Sequence, residues 1–243
     1  ATVTAISATP TGWNINENCG STHLDNLISE VKKSGADIGI AHDGDADRCL
    51  LIASDGQIID GDYILNILAT DWLSADKLNK KTVVGTVMSN LGFIKSMESL
   101  GIKVEKTAVG DRYVLEKMLE NDYTLGGEQS GHVIMRQFSN TGDGLLTALQ
   151  VMQVVAKSKK SLLELASAMK KYPQILINVK DIAKEKLASS VKIKDAILES
   201  EKQLAGIGRV LVRSSGTEPM VRVMVEANDL ELAQKIADSL VQL

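Results

Sequence analysis

Although 44% of the residues are hydrophobic, no stretch of this sequence approaches the roughly 20 consecutive apolar residues that a membrane-spanning helix needs. Membrane spanning is excluded. Basic clusters are missing too: lysines are scattered, the net charge is −4 and the isoelectric point is near 5.5. That balance argues against a nucleic-acid partner. Cysteine is scarce, with only Cys19 and Cys49, too few for a disulfide framework and without metal-ligand spacing, so both read as reduced thiols and the cytoplasm is the natural compartment. The start, Ala1-Thr2-Val3-Thr4-Ala5-Ile6, has neither the basic flank nor the apolar core of a signal peptide. It also lacks an initiator methionine, so the chain is expected to be part of something longer. No internal repeat and no low-complexity segment breaks the sequence.

What is present is globular. At 243 residues the chain can form one large domain or two of ordinary size. The apolar run Ile38-Gly39-Ile40-Ala41 stops abruptly in His42-Asp43-Gly44-Asp45-Ala46-Asp47-Arg48, three carboxylates spaced two apart and followed by an arginine. With Cys49–Ala53 also apolar, the pattern predicts strands covered on both faces and an acidic loop at a strand's carboxyl end, where open α/β sheets favour ligands. Carboxylates this close repel one another, and a fold holds them together mainly where a cation neutralises them. Hard oxygen ligands point to Mg²⁺. A solvated acidic turn is the plain alternative. An EF-hand loop starting at Asp43 would need glycine and glutamate where Arg48 and Ser54 stand. An aspartyl phosphotransferase loop would need Thr or Val where Asp47 stands.

In chain order, residues 1–22 are rich in turn formers. Ser21 or Thr22 can cap a helix carrying Leu24, Leu27, Ile28 and Val31 on one face. Ser54-Asp55-Gly56 signals a hairpin that closes a first unit near residue 58. A second unit alternates helix and strand: helices near 62–73, 93–100 and 111–120, strands near 82–87, 102–107 and 124–126. Helices then follow behind the caps Asp143 and Ser161, over 144–156 and 162–170. Tyr172-Pro173 marks the next boundary. Beyond it, strands at 175–179, 209–212 and 221–227 and helices at 193–204 and 230–240 make a small α+β unit. The fold class is thus α/β, with mixed or parallel sheets and flanking helices in the first two units, followed by a small α+β C-terminal domain.

Two further loops carry chemistry. Arg213-Ser214-Ser215-Gly216-Thr217-Glu218-Pro219, with Arg222 behind it, offers hydroxyls, backbone N–H groups and guanidinium forks, the groups that surround a phosphate. An ordinary turn with flanking arginines is the alternative. In Gly127-Glu128-Gln129-Ser130-Gly131-His132, Glu128 and Ser130 can bond sugar hydroxyls and His132 can move a proton near neutral pH. His132 can equally be a hydrogen-bonded structural residue. Arg112 can hold a phosphate or pair within its own helix.

Taken together, the Asp43–Arg48, Gly127–His132 and Arg213–Pro219 motifs, in this order and spacing, resemble the α-D-phosphohexomutase family. The runs 14–23, 87–92 and 107–114 narrow the likeness to its bacterial phosphoglucosamine mutase branch, and it covers essentially the whole chain. The resemblance implies four domains around a cleft, of which 1–57 is similar to the end of the second (metal-loop) domain, 58–171 to the third (sugar-binding) and 172–243 to the fourth (phosphate-binding). It implies Mg²⁺ on Asp43, Asp45 and Asp47, and interconversion of glucosamine 6-phosphate and glucosamine 1-phosphate through a phosphoserine in the first domain, with Arg48 and His132 as catalytic residues. Arg112, Glu128, Ser130, Arg213, Ser215, Gly216, Thr217 and Arg222 would bind the phosphorylated hexosamine substrate. It also admits a homodimer for the full-length protein. Nothing here matches the family's serine motif, so this chain alone is expected to be inactive, and Ser214 stands where such loops often carry proline. A phosphoglucomutase or phosphomannomutase portion, or a non-catalytic phosphosugar-binding module, are the competing readings.

Overall fold

The computed structural model describes residues 1–180, 190–214 and 220–242. They form two compact units, one of residues 1–89 with 93–170, the other of 90–92 with 171–243.

In the first unit a three-stranded antiparallel sheet contains β1 (Ile38–His42), β2 (Cys49–Ala53) and β3 (Ile58–Ile59), in that order. Ile38 pairs with Ala53 and His42 with Cys49, so the acidic segment is the loop of a hairpin. β2 is buried along its whole length, whereas β1 alternates. The expectation of two strands covered on both faces therefore fails for β1, which lies at the edge of its sheet. Helix α1 (Asp25–Ser34) has Leu24 at its cap position with no side-chain capping bond. Neither Ser21 nor Thr22, expected as the cap, holds that position; the Ser21 backbone N–H donates to the His42 carbonyl at 2.9 Å.

Helix α2 (Gly61–Ser74) is buried from Gly61 to Ala69, as a helix that is apolar nearly all round must be. Asp60 caps it, accepting from the N–H groups of Asp62 and Tyr63. A four-stranded sheet follows, in the order β5 (Lys103–Thr107), β4 (Thr82–Thr86), β6 (Leu125–Gly127), β7 (Val133–Met135). The β4 strand runs parallel to β5 and β6, and β7 is antiparallel to β6. That mixed sheet fits the α/β class expected from the helix and strand alternation, with β7 added. Around it lie α3 (Leu91–Ser99), α4 (Asp111–Asn121), α5 (Gly144–Ser158) and α6 (Leu162–Ala166). The last is one turn shorter than expected. Asp143 caps α5, and Ser161 caps α6 in a reciprocal arrangement with Glu164.

One core serves both sheets: Leu51 and Ile59 cluster with Ile64, Leu65, Phe93, Met97, Leu125, Val133 and Val151. This anchors β2, and with it one end of the acidic loop, in the buried core of the unit. Cys49 has no exposed surface, and burial pushes its thiol up to about 12, which removes it as a nucleophile or ligand.

The second unit is an antiparallel sheet in the order β8 (Gln174–Lys180), β10 (Met220–Ala227), β9 (Gly208–Ser214), with helices α7 (Val191–Gln203) and α8 (Leu230–Val241). Val221, Val223 and Val225 cluster with Ala233, Ile236 and Leu240. Glu226, fully buried, accepts from Arg209 Nε at 2.6 Å, Asn90 Nδ2 at 3.1 Å and the Leu91 N–H at 3.0 Å, so the buried charge is matched by donors.

Phe93 has no exposed surface. Phe93→Ala should destabilise the first unit by about 3–5 kcal/mol through lost transfer energy and a residual cavity, read as a lowered denaturant midpoint. A midpoint equal to wild type would mean that this core is not as packed as described.

Candidate functional site

The hairpin loop brings one carboxylate oxygen each from Asp43, Asp45 and Asp47 within 4.8 Å of one another. Two oxygens on a common Mg²⁺ lie at most about 4.2 Å apart, given ligand distances of about 2.1 Å. The cluster is therefore close to the span that a shared divalent cation requires. Asp47 Oδ1 is buried and has no hydrogen-bond partner, an unsatisfied acceptor that a cation would fill. The three residues fit a divalent cation.

Within the loop, the Arg48 N–H donates to Asp43 Oδ1 at 3.1 Å. Arg48 Nε lies 3.5 Å from Asp43 and 3.8 Å from Asp47, beyond good bonding geometry, and has no hydrogen-bond partner. Burial alone would raise the Asp43 pKa, but the Arg48 N–H and a bond shared with Asp47 hold it below its ordinary value. Asp47 goes the other way: burial, the same shared bond and the Asp43 charge raise it.

The Gly127–His132 loop is stitched to this hairpin. Arg48 and His132 form an antiparallel bridge, and the Cys49 N–H donates to the Gly131 carbonyl at 3.0 Å. Burial leaves His132 3% exposed, its Nε2 is 3.5 Å from Asp47 Oδ2, and its Nδ1 has no partner. Glu128 accepts from the Gly110 N–H at 2.9 Å, which ties in the 107–112 segment, and Ser130 is exposed at the loop's tip. Arg112 is not drawn into the group: its side chain is 80% exposed and paired with Glu116 at 2.7 Å.

One participant escaped the sequence reading. Gly142 and Gly144 flank the α5 cap, and a Cβ on Gly142 would collide with the His132 ring and the Asp47 carbonyl. On Gly144 it would collide with the Arg48 carbonyl. The visible signal was the pair of glycines around Asp143.

In the second unit Arg213 and Arg222 stand directly opposite each other on β9 and β10. The Nε atom of each is buried without a partner, and burial together with Arg222 lowers the Arg213 pKa. Two like charges side by side with unsatisfied donors are arranged for an anion. Ser215, Gly216 and Thr217 lie outside the described residues.

Phosphoglucomutase/phosphomannomutase family models match almost the whole chain: alpha/beta/alpha domain II at residues 9–56, alpha/beta/alpha domain III at 60–172 and the C-terminal domain at 176–243. The chain belongs to this family. It is 54% identical over 240 residues to phosphoglucosamine mutase of Rhodococcus opacus, covering 99% of this chain and 54% of that protein. Against the same enzyme of Brevibacillus brevis it is 53% identical over 241 residues, covering 99% and 54%. The chain thus spans about half the length of the curated relatives it matches. Among solved structures, N-acetylphosphoglucosamine mutase of Aspergillus fumigatus, in complex with GlcNAc-6P and magnesium, superposes with a TM-score of 0.74 at 22% identity, over 93% of this chain and 56% of that one. At that identity the likeness speaks for the fold. The helices flanking the sheets of the first unit agree with the alpha/beta/alpha domains of these family models, and the small α+β unit falls on their C-terminal domain. Among the described residues no helix is long and apolar enough to cross a membrane.

The two pKa directions set a pH dependence. Asp43, lowered, adds stability above its ordinary value that is lost only as pH falls through the lowered one. Asp47, raised, is disfavoured as an anion, and that penalty disappears as pH falls through the raised value. Protons therefore compete with a cation at Asp47 first. Mn²⁺ affinity, followed by electron paramagnetic resonance, should fall on acidification at a higher pH than an ordinary aspartate near 3.9 would give. In Asp47→Asn, binding should be weaker throughout with its acid midpoint displaced downward. Superimposable midpoints would reassign the titration.

Proposed function

We propose that this chain is the metal-, sugar- and phosphate-binding portion of a phosphoglucosamine mutase, an isomerase that moves a phosphoryl group between the 6- and 1-positions of glucosamine phosphate. The observation that carries the reading is the acidic hairpin bonded to the Glu128–His132 loop, in a chain more than half identical to phosphoglucosamine mutases. Residues 1–57, 58–171 and 172–243 are assigned to the metal-loop, sugar-binding and phosphate-binding domains. The phosphoryl-carrying serine is assigned to the part of the family's length that this chain does not span.

Asp43, Asp45 and Asp47 hold Mg²⁺, which when bound offsets phosphoryl charge. Arg48, with Nε unpartnered, steadies the reacting phosphate by a charge-assisted bond. Glu128 and Ser130 bond the sugar hydroxyls. His132 is the proton carrier, its ring oriented through Nε2 towards Asp47 and its Nδ1 without a bond. Arg213 and Arg222, with Ser215, Gly216 and Thr217, hold the phosphate that does not react. Arg112 joins the substrate by exchanging Glu116 for phosphate, an exposed, solvent-screened pair that costs little to break.

The deciding assay supplies the full-length protein with Mg²⁺ and a hexose bisphosphate primer, and compares glucosamine, glucose and mannose 6-phosphates. The highest kcat/KM is expected for glucosamine. A preference for glucose or mannose phosphate would move the enzyme to the phosphoglucomutase/phosphomannomutase reading, and no turnover of any of them would leave a binding module. The 243-residue chain alone should give no turnover, and any turnover would contradict the placement of the serine. In the full-length protein, Arg213→Ala and Arg222→Ala should each weaken substrate binding by about 1.5–3 kcal/mol, and unchanged KM in Arg222→Ala would remove β9 and β10 from the site.

A further inference from the structure

The acidic hairpin is braced from behind by groups that take no part in the chemistry assigned above. His42 ends β1, one residue before the first carboxylate, and its Nδ1 lies 3.0 Å from the Arg48 carbonyl oxygen. A carbonyl can only accept, so Nδ1 carries the hydrogen and donates it. The bond ties the residue before the loop to the loop's last residue, immediately above the His42 and Cys49 pair of the ladder. The His42 carbonyl is held in turn by the Ser21 N–H at 2.9 Å.

A second contact fixes the other side of the loop. The Gly144 N–H donates to the Ala46 carbonyl at 2.9 Å, at a residue whose backbone is left-handed, with φ of 58°. Gly144 approaches so closely that an added Cβ would meet His42 Nδ1 at 2.6 Å and collide with the Arg48 carbonyl. Thus the imidazole, the carbonyl it bonds and the glycine are packed as one knot. Asp143 anchors that glycine by capping α5 through the Leu146 N–H at 2.9 Å.

We propose that His42 is a positioning residue for the metal loop: its bond to the Arg48 carbonyl, backed by Gly144, holds the three carboxylates within reach of one cation before the cation arrives. The proposal rests on the reading that Asp43, Asp45 and Asp47 bind a divalent cation. Partners behind the ligands of a metal site commonly change affinity by about 10–100-fold when removed, and a loop of three mutually repelling carboxylates has particular need of an external brace.

The test is Mn²⁺ affinity of the 243-residue chain by electron paramagnetic resonance, with circular dichroism and melting to verify folding. Asp45→Asn should abolish binding, and if it leaves affinity unchanged the metal reading itself fails. Given that loss, His42→Ala should weaken binding about tenfold or more. His42→Asn, whose side-chain amide can donate to the same carbonyl, should recover most of it. Wild-type affinity in His42→Ala overturns the proposal, and so does an equal loss in His42→Asn and His42→Ala, because the donated bond would then be irrelevant. Should His42→Ala not fold, His42→Leu, which fills the site without a donor, takes its place: a loss of about tenfold that His42→Asn recovers supports the brace, and equal affinities in the two overturn it.

Discussion

Three carboxylates in five residues impose the constraint around which the first unit is built. Two full charges about 4 Å apart repel by about 1 kcal/mol in bulk water and by several times that beside protein. A free loop would relieve this by spreading. Here both ends are pinned instead: β2 is buried along its length in the core shared with the larger sheet, and β1 pairs with it in strict register. The hairpin geometry, not attraction within the loop, keeps Asp43, Asp45 and Asp47 together. Arg48 offsets little of the repulsion, since its side chain is 43% exposed and its nearest carboxylate contact is 3.5 Å.

The second unit meets the same kind of problem with the opposite sign. Arg213 and Arg222 oppose each other across the ladder, a pairing that is unfavourable between like charges. Four residues along β10, Glu226 solves the contrary case by taking three donors, Arg209 among them. One strand thus carries a carboxylate satisfied from within the protein and a guanidinium whose Nε is not. Satisfied charge belongs to the fold; unsatisfied charge of one sign, repeated across neighbouring strands, is what binding would complete.

Most of the architecture was legible because its signals are local. Alternating helix and strand periods, Asp143 and Ser161 as caps, and the Ser54-Asp55-Gly56 turn each act within a few residues. The misses share a different cause. β7 is a three-residue strand, too short for a period to declare itself, and it exists because Val133 to Met135 pair with β6. Ser21 looked like a cap, but the helix begins later, with Leu24 at the cap position, and the Ser21 backbone N–H is engaged by the His42 carbonyl. At the site, residue types picked out the acidic loop whose carboxylates the structure gathers, but nothing in the spacing revealed that residues 142–144 would press on 42–48. That contact depends on α5 crossing the hairpin, and only glycine at 142 and 144 hinted at close approach.

If the Glu128–His132 loop binds the sugar as proposed, its bonds to the hairpin bear on specificity. Cys49 donates to Gly131, Gly61 to Gln129 and Gly131 to Glu128, so the loop that carries Glu128 and Ser130 is fixed at both ends by backbone groups that cannot change rotamer. Glu128 is held once more through its own side chain by Gly110. A sugar hydroxyl competing for Glu128 would meet an acceptor already oriented, with its second oxygen left over. Preorganisation of this kind lowers the entropy lost on binding and favours ligands that match the fixed geometry over those that require it to move. Because Asp47 and His132 face each other at 3.5 Å, any displacement of the Glu128–His132 loop is also a displacement beside the acidic loop. On the proposed reading, selection of the sugar and readiness of the cation site would therefore be properties of one bonded element rather than of two independent loops.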